Sequence, residues 1–134
     1  MADYTIAAAD VFCTGVVAPI NAGEDLVAGL VIYSKVADHL AYKADADAGS
    51  GADVVLGFTL NDAKAGQPVA YARAGPITVG TIFAAAGKVL ALSGAAGKLC
   101  DIADVTTGDH MVIMGWTLST TSFQLNIINT GFTL

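Results

Sequence analysis

Between Val54 and Arg73 the chain alternates short apolar runs with small polar breaks. Val54-Val55-Leu56 begins a strand, Gly57 interrupts it, and Phe58-Thr59-Leu60 resumes it. Asn61 to Gly66 is polar and small, with the glycine that a tight connection uses. Gln67 to Arg73 returns as a second strand. The two-residue period places Val69, Tyr71 and Arg73 on one face and Pro68 and Ala72 on the other. Pro68 donates no ladder hydrogen bond and therefore belongs at a strand start or an edge. The pattern predicts a β-hairpin over residues 52–75 with a six-residue connection, 61–66.

The unit recurs. Ile113-Met114-Gly115-Trp116-Thr117-Leu118 echoes Val55-Leu56-Gly57-Phe58-Thr59-Leu60. Each run leads through a polar stretch to a strand that ends in glycine, at Gly75 and at Gly131, and Gly131-Phe132-Thr133-Leu134 closes the chain on a third copy. A shared order of strand, glycine, aromatic, Thr, Leu, turn and strand predicts two similar hairpins, over 52–75 and 110–131, packed on one another.

The remaining segments read the same way. Val11-Phe12-Cys13 and Thr5-Ile6-Ala7 are candidate short strands, and Val16 to Ile20 is extended because Pro19 disfavours helix at Ala18. Val31-Ile32-Tyr33, Leu40 to Lys43, Ile77-Thr78-Val79, Lys88 to Leu92 and Lys98-Leu99-Cys100 are further strands, with Gly75-Pro76 taken as a break. Asp101 to Asp109 contains a single helical turn around Ile102 and Val105. His110 to Trp116 is a strong strand, with Trp116 as a core anchor; in the next, Phe123, Leu125 and Ile127 share a face. No span carries a long helical stripe. The expected fold is all-β: a single compact β-sandwich or barrel of nine or ten short strands with an extended N-terminal arm. Residues 1–22 form the arm or an edge strand and 23–134 the β-domain.

Composition sharpens this. The chain has 134 residues, 54% of them hydrophobic and only 13% charged, a low charge content for a free monomer. It therefore predicts burial of surface against copies of itself or a partner. The net charge of -6 with six scattered Lys and Arg argues against direct nucleic-acid binding and against an anionic membrane surface. No apolar run approaches the roughly 20 residues of a membrane helix, and the N-terminus lacks the basic region of a signal peptide. Cys13 and Cys100 are far apart and fit no metal or redox spacing, so two buried thiols are expected.

Candidate chemistry is sparse. His39 and His110 are the two histidines, both read as solvated or hydrogen-bonded rather than as bases. No nucleophile elbow or zinc-protease motif occurs. Asp45-Ala46-Asp47-Ala48-Gly49 resembles the start of a calcium loop, but the closing Glu position is Leu56. That loop, like Asp101, Asp104 and Asp109, reads as solvated acid. No catalytic, cofactor or metal residue is assigned. An exposed Trp116 would instead offer a ring for stacking a sugar.

The residues nevertheless resemble a family. Leu40 to Asp47, Val55 to Val69 with its Gly-Phe-Thr-Leu-Asn-Asp approach to Gly66-Gln67-Pro68-Val69, Gly75 to Gly80, Gly87 to Ser93 and Leu125-Asn126-Ile127 are similar to the small capsid decoration, or cement, proteins of tailed bacteriophages. The resemblance covers roughly residue 23 to the C-terminus. It implies a virion protein on the outer capsid surface, a homotrimer that binds the major capsid protein, with no cofactor and no catalytic residue. The rival expectation is a tail- or fibre-associated module that recognises a host surface glycan.

Overall fold

The computed structural model describes residues 3–13, 15–46, 54–105 and 107–133. The chain is all-β. Its strands are β1 (Phe12–Cys13), β2 (Val16–Asn21), β3 (Val31–Ser34), β4 (Ala41–Lys43), β5 (Gly57–Thr59), β6 (Pro68–Thr78), β7 (Val89–Leu92), β8 (Leu99–Asp101), β9 (His110–Thr117) and β10 (Ser122–Thr133). Single 3-10 turns occupy Ala8–Asp10 and Ile102–Asp104, the second where a helical turn was expected. Hydrogen bonds join the strands in the order β4-β3-β5-β6-β10-β9-β7-β8, with β1 and β2 laid on β6, and the strand pairings are antiparallel.

That order is one four-strand set followed by its mirror, and the repeat seen in the sequence is structural. Tyr33 faces Tyr42 as Ala91 faces Cys100, and Val31 faces Phe58 as Val89 faces Trp116. Both predicted hairpins form, β5–β6 and β9–β10. The first is shorter at its start than the apolar run implied: Val55 and Leu56 lie outside β5, and among them Val55 is buried in the core. Its connection runs from Leu60 to Gln67 rather than over six residues. Leu60 N–H still donates to Ala70 C=O (2.8 Å), and the backbone then leaves the ladder. The Asn61 side chain replaces a ladder partner by accepting from Ala70 N–H (2.6 Å).

The expected break at Gly75-Pro76 is instead a bend inside the 11-residue strand β6. Gly75 takes a positive φ of 108°. A Cβ there would meet Gly15 Cα at 2.6 Å, and one on Gly15 would meet Ala74 O at 2.1 Å. Only two glycines let these backbones cross so closely. Before the bend β6 pairs with β2 and β5; after it, with β1 and β10. One strand thus carries the sheet around a corner, as β-rich folds do at glycines and bulges. With β6 and the 12-residue β10, the fold is not made of short strands alone.

The concave side of the curled sheet holds the main core, including Val31, Phe58, Ile77, Leu90, Met114 and Phe123. Phe123 is edge-on to both Phe58 (5.4 Å between centroids) and Phe83 (6.0 Å), the geometry that aromatic quadrupoles favour. A second cluster lies behind the first repeat, where Ile32, Val69 and Tyr71 are covered by Leu26 and Ala63. The N-terminal segment is an edge strand: β1 and β2 run along β6 from Phe12 to Asn21. Ala22 N–H donates to Gln67 C=O. By alternation Ala18 and Ile20 also bond inward, and Pro19 faces the open edge. Its missing N–H costs no ladder bond there and discourages a further strand from pairing.

Candidate interaction surface

Trp116 is not a core anchor. It is 41% exposed, on the outer side of β9. The cause is a β-bulge. Against β7, Gly115 pairs with Leu90 and Ile113 with Ala91, which leaves Met114 as an extra residue. Gly115 has φ 135°, and any Cβ on it would lie 1.8 Å from Gln124 O. The extra residue shifts the alternation by one. Met114 and Thr117 both point inward as a result, and Trp116 points out. Its counterpart in the first repeat, Phe58, is fully buried.

The strand register sets Trp116 in a row. Val89, Trp116, Gln124 and Pro76 lie side by side across β7, β9, β10 and β6. Next to it, Ser122, Thr78 and Phe12 form a second row that reaches β1. Ala74 lies between Asn126 and Val16 in a third. None of these residues is charged. Arg73, the extra residue of β6 where β2 shifts register, is exposed at the border. The edge strand continues the apolar surface through Phe12, 64% exposed, and Val16, 57%; Val17, 49% exposed, stands opposite the core residue Ala72 and lies on the other face. A contiguous face of this kind on a folded chain marks a contact site.

Polar side chains elsewhere are engaged in structure. An open groove of about 240 Å³ is lined by Asp25, Leu26, Asp62, Lys64 and Gln67 among others. Asp62 there accepts from Ala28 N–H (3.0 Å), and Asp25 accepts from Ala65 N–H (3.0 Å) while pairing with Lys64 (3.5 Å). The Ala65 hydrogen bond, then the Lys64 charge, hold the Asp25 carboxyl below its ordinary range. These contacts tie the loop after β5 to the segment before β3.

His39 is an exposed turn residue with φ 59°, and His110 pairs through Nδ1 with Thr133 Oγ1 (3.1 Å). Asp38 accepts from Tyr42 O–H (2.6 Å), which lowers the carboxyl's pKa and raises the phenol's. Asp101 accepts from Tyr4 O–H and pairs with Lys88 (3.0 Å), so it is not merely solvated. Asp109 is buried, against the expectation of a solvated acid. Asp47 to Gly49 of the acidic loop lie outside the described residues. Among the described residues no group of three or more His, Cys, Asp or Glu is placed to hold a metal. Both cysteines are free thiols; Cys100 is buried as expected, whereas Cys13 is half-buried, with Gly15 N–H donating to its sulfur (3.2 Å). Burial raises the Cys100 thiol from 9.0 to about 12, with Asp3 adding to the shift.

The fold and this surface define an all-β protein whose most distinctive exposed feature is an uncharged sheet face beside an apolar edge strand. No protein-family model matches the chain, and no curated protein sequence matches it. Sequence reasoning missed the face because its period-two reading had no bulge in it; the glycine at 115, between Met and Trp, was the available signal.

Proposed function

We propose that this chain is a structural virion protein that decorates the outer surface of an icosahedral phage capsid and stabilises it by bridging neighbouring major capsid subunits. The sequence resemblance supplies the setting. The observation that carries the reading is the edge strand, where Phe12, Val16 and Val17 present large apolar side chains to solvent on a segment fixed to β6. A rigid contact segment loses little conformational entropy on docking. A protein that binds the assembled shell and not its separated subunits stabilises the shell by linkage. Several docked copies linked to one another would hold on by effective concentration.

The test adds the purified chain to shells that lack it and to isolated capsid subunits. Co-sedimentation with shells alone, and a higher temperature of shell disruption, are expected. The Phe12→Ser/Val16→Ser variant keeps the backbone of the edge strand and is expected to lose shell binding at least tenfold. Shells of equal stability with and without the protein sink the proposal.

One observation favours a second reading, a tail- or fibre-associated module for a host glycan. Trp116 is exposed beside the Gln124 amide, and an aromatic ring with adjacent amide groups is chemistry that sugars use. Saturable quenching or shift of Trp116 emission by soluble host glycans, with no shell binding, would move the assignment there.

A further inference from the structure

The two repeats turn opposite faces of one motif to the shared core. From the first repeat, Val31, Tyr33 and Phe58 point into it. From the second, the residues in those places, Val89, Ala91 and Trp116, do not: Val89 and Trp116 are exposed and Ala91 belongs to a small separate cluster. Into the core instead go Leu90 and Met114, whose counterparts Ile32 and Leu56 lie behind the first repeat. The back of the first repeat is covered by Leu26 and Ala63 from its own loops. On the outer face of the second repeat, Val105 and Met111 cover Ala91 and Cys100, while Val89 and Trp116 stay exposed among the described residues. This outer face is the one that, in its sister repeat, packs against the other half of the curled sheet.

We propose that this face, the row Val89, Trp116, Gln124 and Pro76, is where a second copy of this chain docks, sheet face against sheet face. Three observations select that occupant. A copy carries the same -6 net charge, so two copies repel except where the apposed surfaces are uncharged, and this row and its neighbours are. Strand addition at the open edge of β2 is discouraged by Pro19, which disfavours self-association through that edge. The counterpart Phe58 row shows that this face of the motif packs closely on a β-sheet surface, the second half of the same curled sheet. Trp116, protruding among the smaller Val89, Pro76 and Gln124, has the size and central position of an interface anchor. The inference deepens the decoration reading by naming the contact between copies, and leaves the edge strand for the shell.

Trp116 is the single tryptophan, so its emission reports on this face without any substitution. Sedimentation velocity and emission spectra are recorded together on the full chain from nanomolar to hundreds of micromolar. The expected result is a mass rising above 13.5 kDa in step with a blue shift of emission and at least threefold weaker acrylamide quenching. Val89→Lys, which keeps the reporter, is expected to raise the dissociation constant at least tenfold, with an unchanged far-ultraviolet spectrum. Gln124→Lys checks the same face independently. Association with Trp116 still fully quenchable overturns the assignment and places the contact elsewhere. A monomer throughout the range also overturns it. If that monomer gains Trp116 protection only on added shells, the decoration reading stands and this one falls.

Discussion

Thr59 and Thr117 make the same pair of hydrogen bonds from equivalent places in the two repeats. Thr59 Oγ1 accepts from Leu30 N–H (2.9 Å) and donates to Val27 C=O (2.7 Å); Thr117 Oγ1 accepts from Lys88 N–H (2.9 Å) and donates to Ala85 C=O (2.7 Å). The sequence separations are 29 and 32 residues in both cases. Their backbones match as well: each Thr N–H donates to the C=O of that partner residue, and each Thr C=O accepts from the glycine before it, Gly29 or Gly87. The clasp fixes the turn that launches β3 or β7 onto the hairpin strand behind it.

Both threonines are buried, at 0% and 1% exposure, so removing the hydroxyl strands a backbone donor and an acceptor away from water. Thr59→Val and Thr117→Val are each expected to lower unfolding free energy by about 1–3 kcal/mol. Thr→Ser at either place keeps the hydroxyl and is expected to cost less than its Val counterpart. Urea denaturation followed by far-ultraviolet dichroism measures both. A neutral Val variant would show that the clasp contributes nothing net.

His39 occupies the position that Gly97 holds in the second repeat, and both are left-handed, with φ 59° and 77°. A histidine is strained there and glycine is not. His39→Gly is expected to raise stability by up to about 1 kcal/mol after the larger chain entropy of glycine is subtracted. Gly97→Ala is expected to destabilise, because its Cβ would also crowd Leu30 and Lys43 at 3.2 and 3.3 Å. Thermal melts of the two variants should shift in opposite directions.

Gly115→Ala is expected to be among the most damaging single changes. Its Cβ has no room beside Gln124 O, and the positive φ is lost to it as well. A cost of about 3 kcal/mol or more follows from such a clash. The Trp116 emission of any folded remnant should shift, because the bulge sets which way that ring points.

Alkaline stability follows from Cys100 and Tyr4. Burial raises the Cys100 thiol from 9.0 to about 12. Tyr4 is also raised, first by burial and then by its hydrogen bond to Asp101. Above pH 9 the unfolded chain releases the Cys100 proton while the folded chain keeps it. Stability is therefore full below pH 9 and falls as pH rises toward 12, with Tyr4 adding to the loss above pH 10. Denaturation midpoints at pH 8, 9.5 and 11 give the slope. At pH 8 iodoacetamide is expected to label half-buried Cys13 well before Cys100, whose labelling requires unfolding. Equal labelling rates in the native protein would contradict the burial assigned to Cys100.

Period-two alternation, glycine punctuation and the Gly-aromatic-Thr-Leu echo were enough to determine an all-β chain, the two hairpins and the inward face of Phe123 and Leu125. These features are local: a strand's alternation and a turn's glycine act within a few residues. What tertiary structure decided is where alternation stops holding. At Gly115 the close approach of the Gln124 carbonyl leaves room only for glycine, and the register shift against β7 there sends Trp116 outward. At Gly75 the crossing with Gly15 turns an expected break into a bend, so one strand serves both parts of the sheet. The clasp of Thr59 reaches back to Leu30 and Val27, contacts that no local pattern encodes. The candidate surface depends on these long-range constraints, because a one-residue shift in a strand exchanges the buried face for the exposed one.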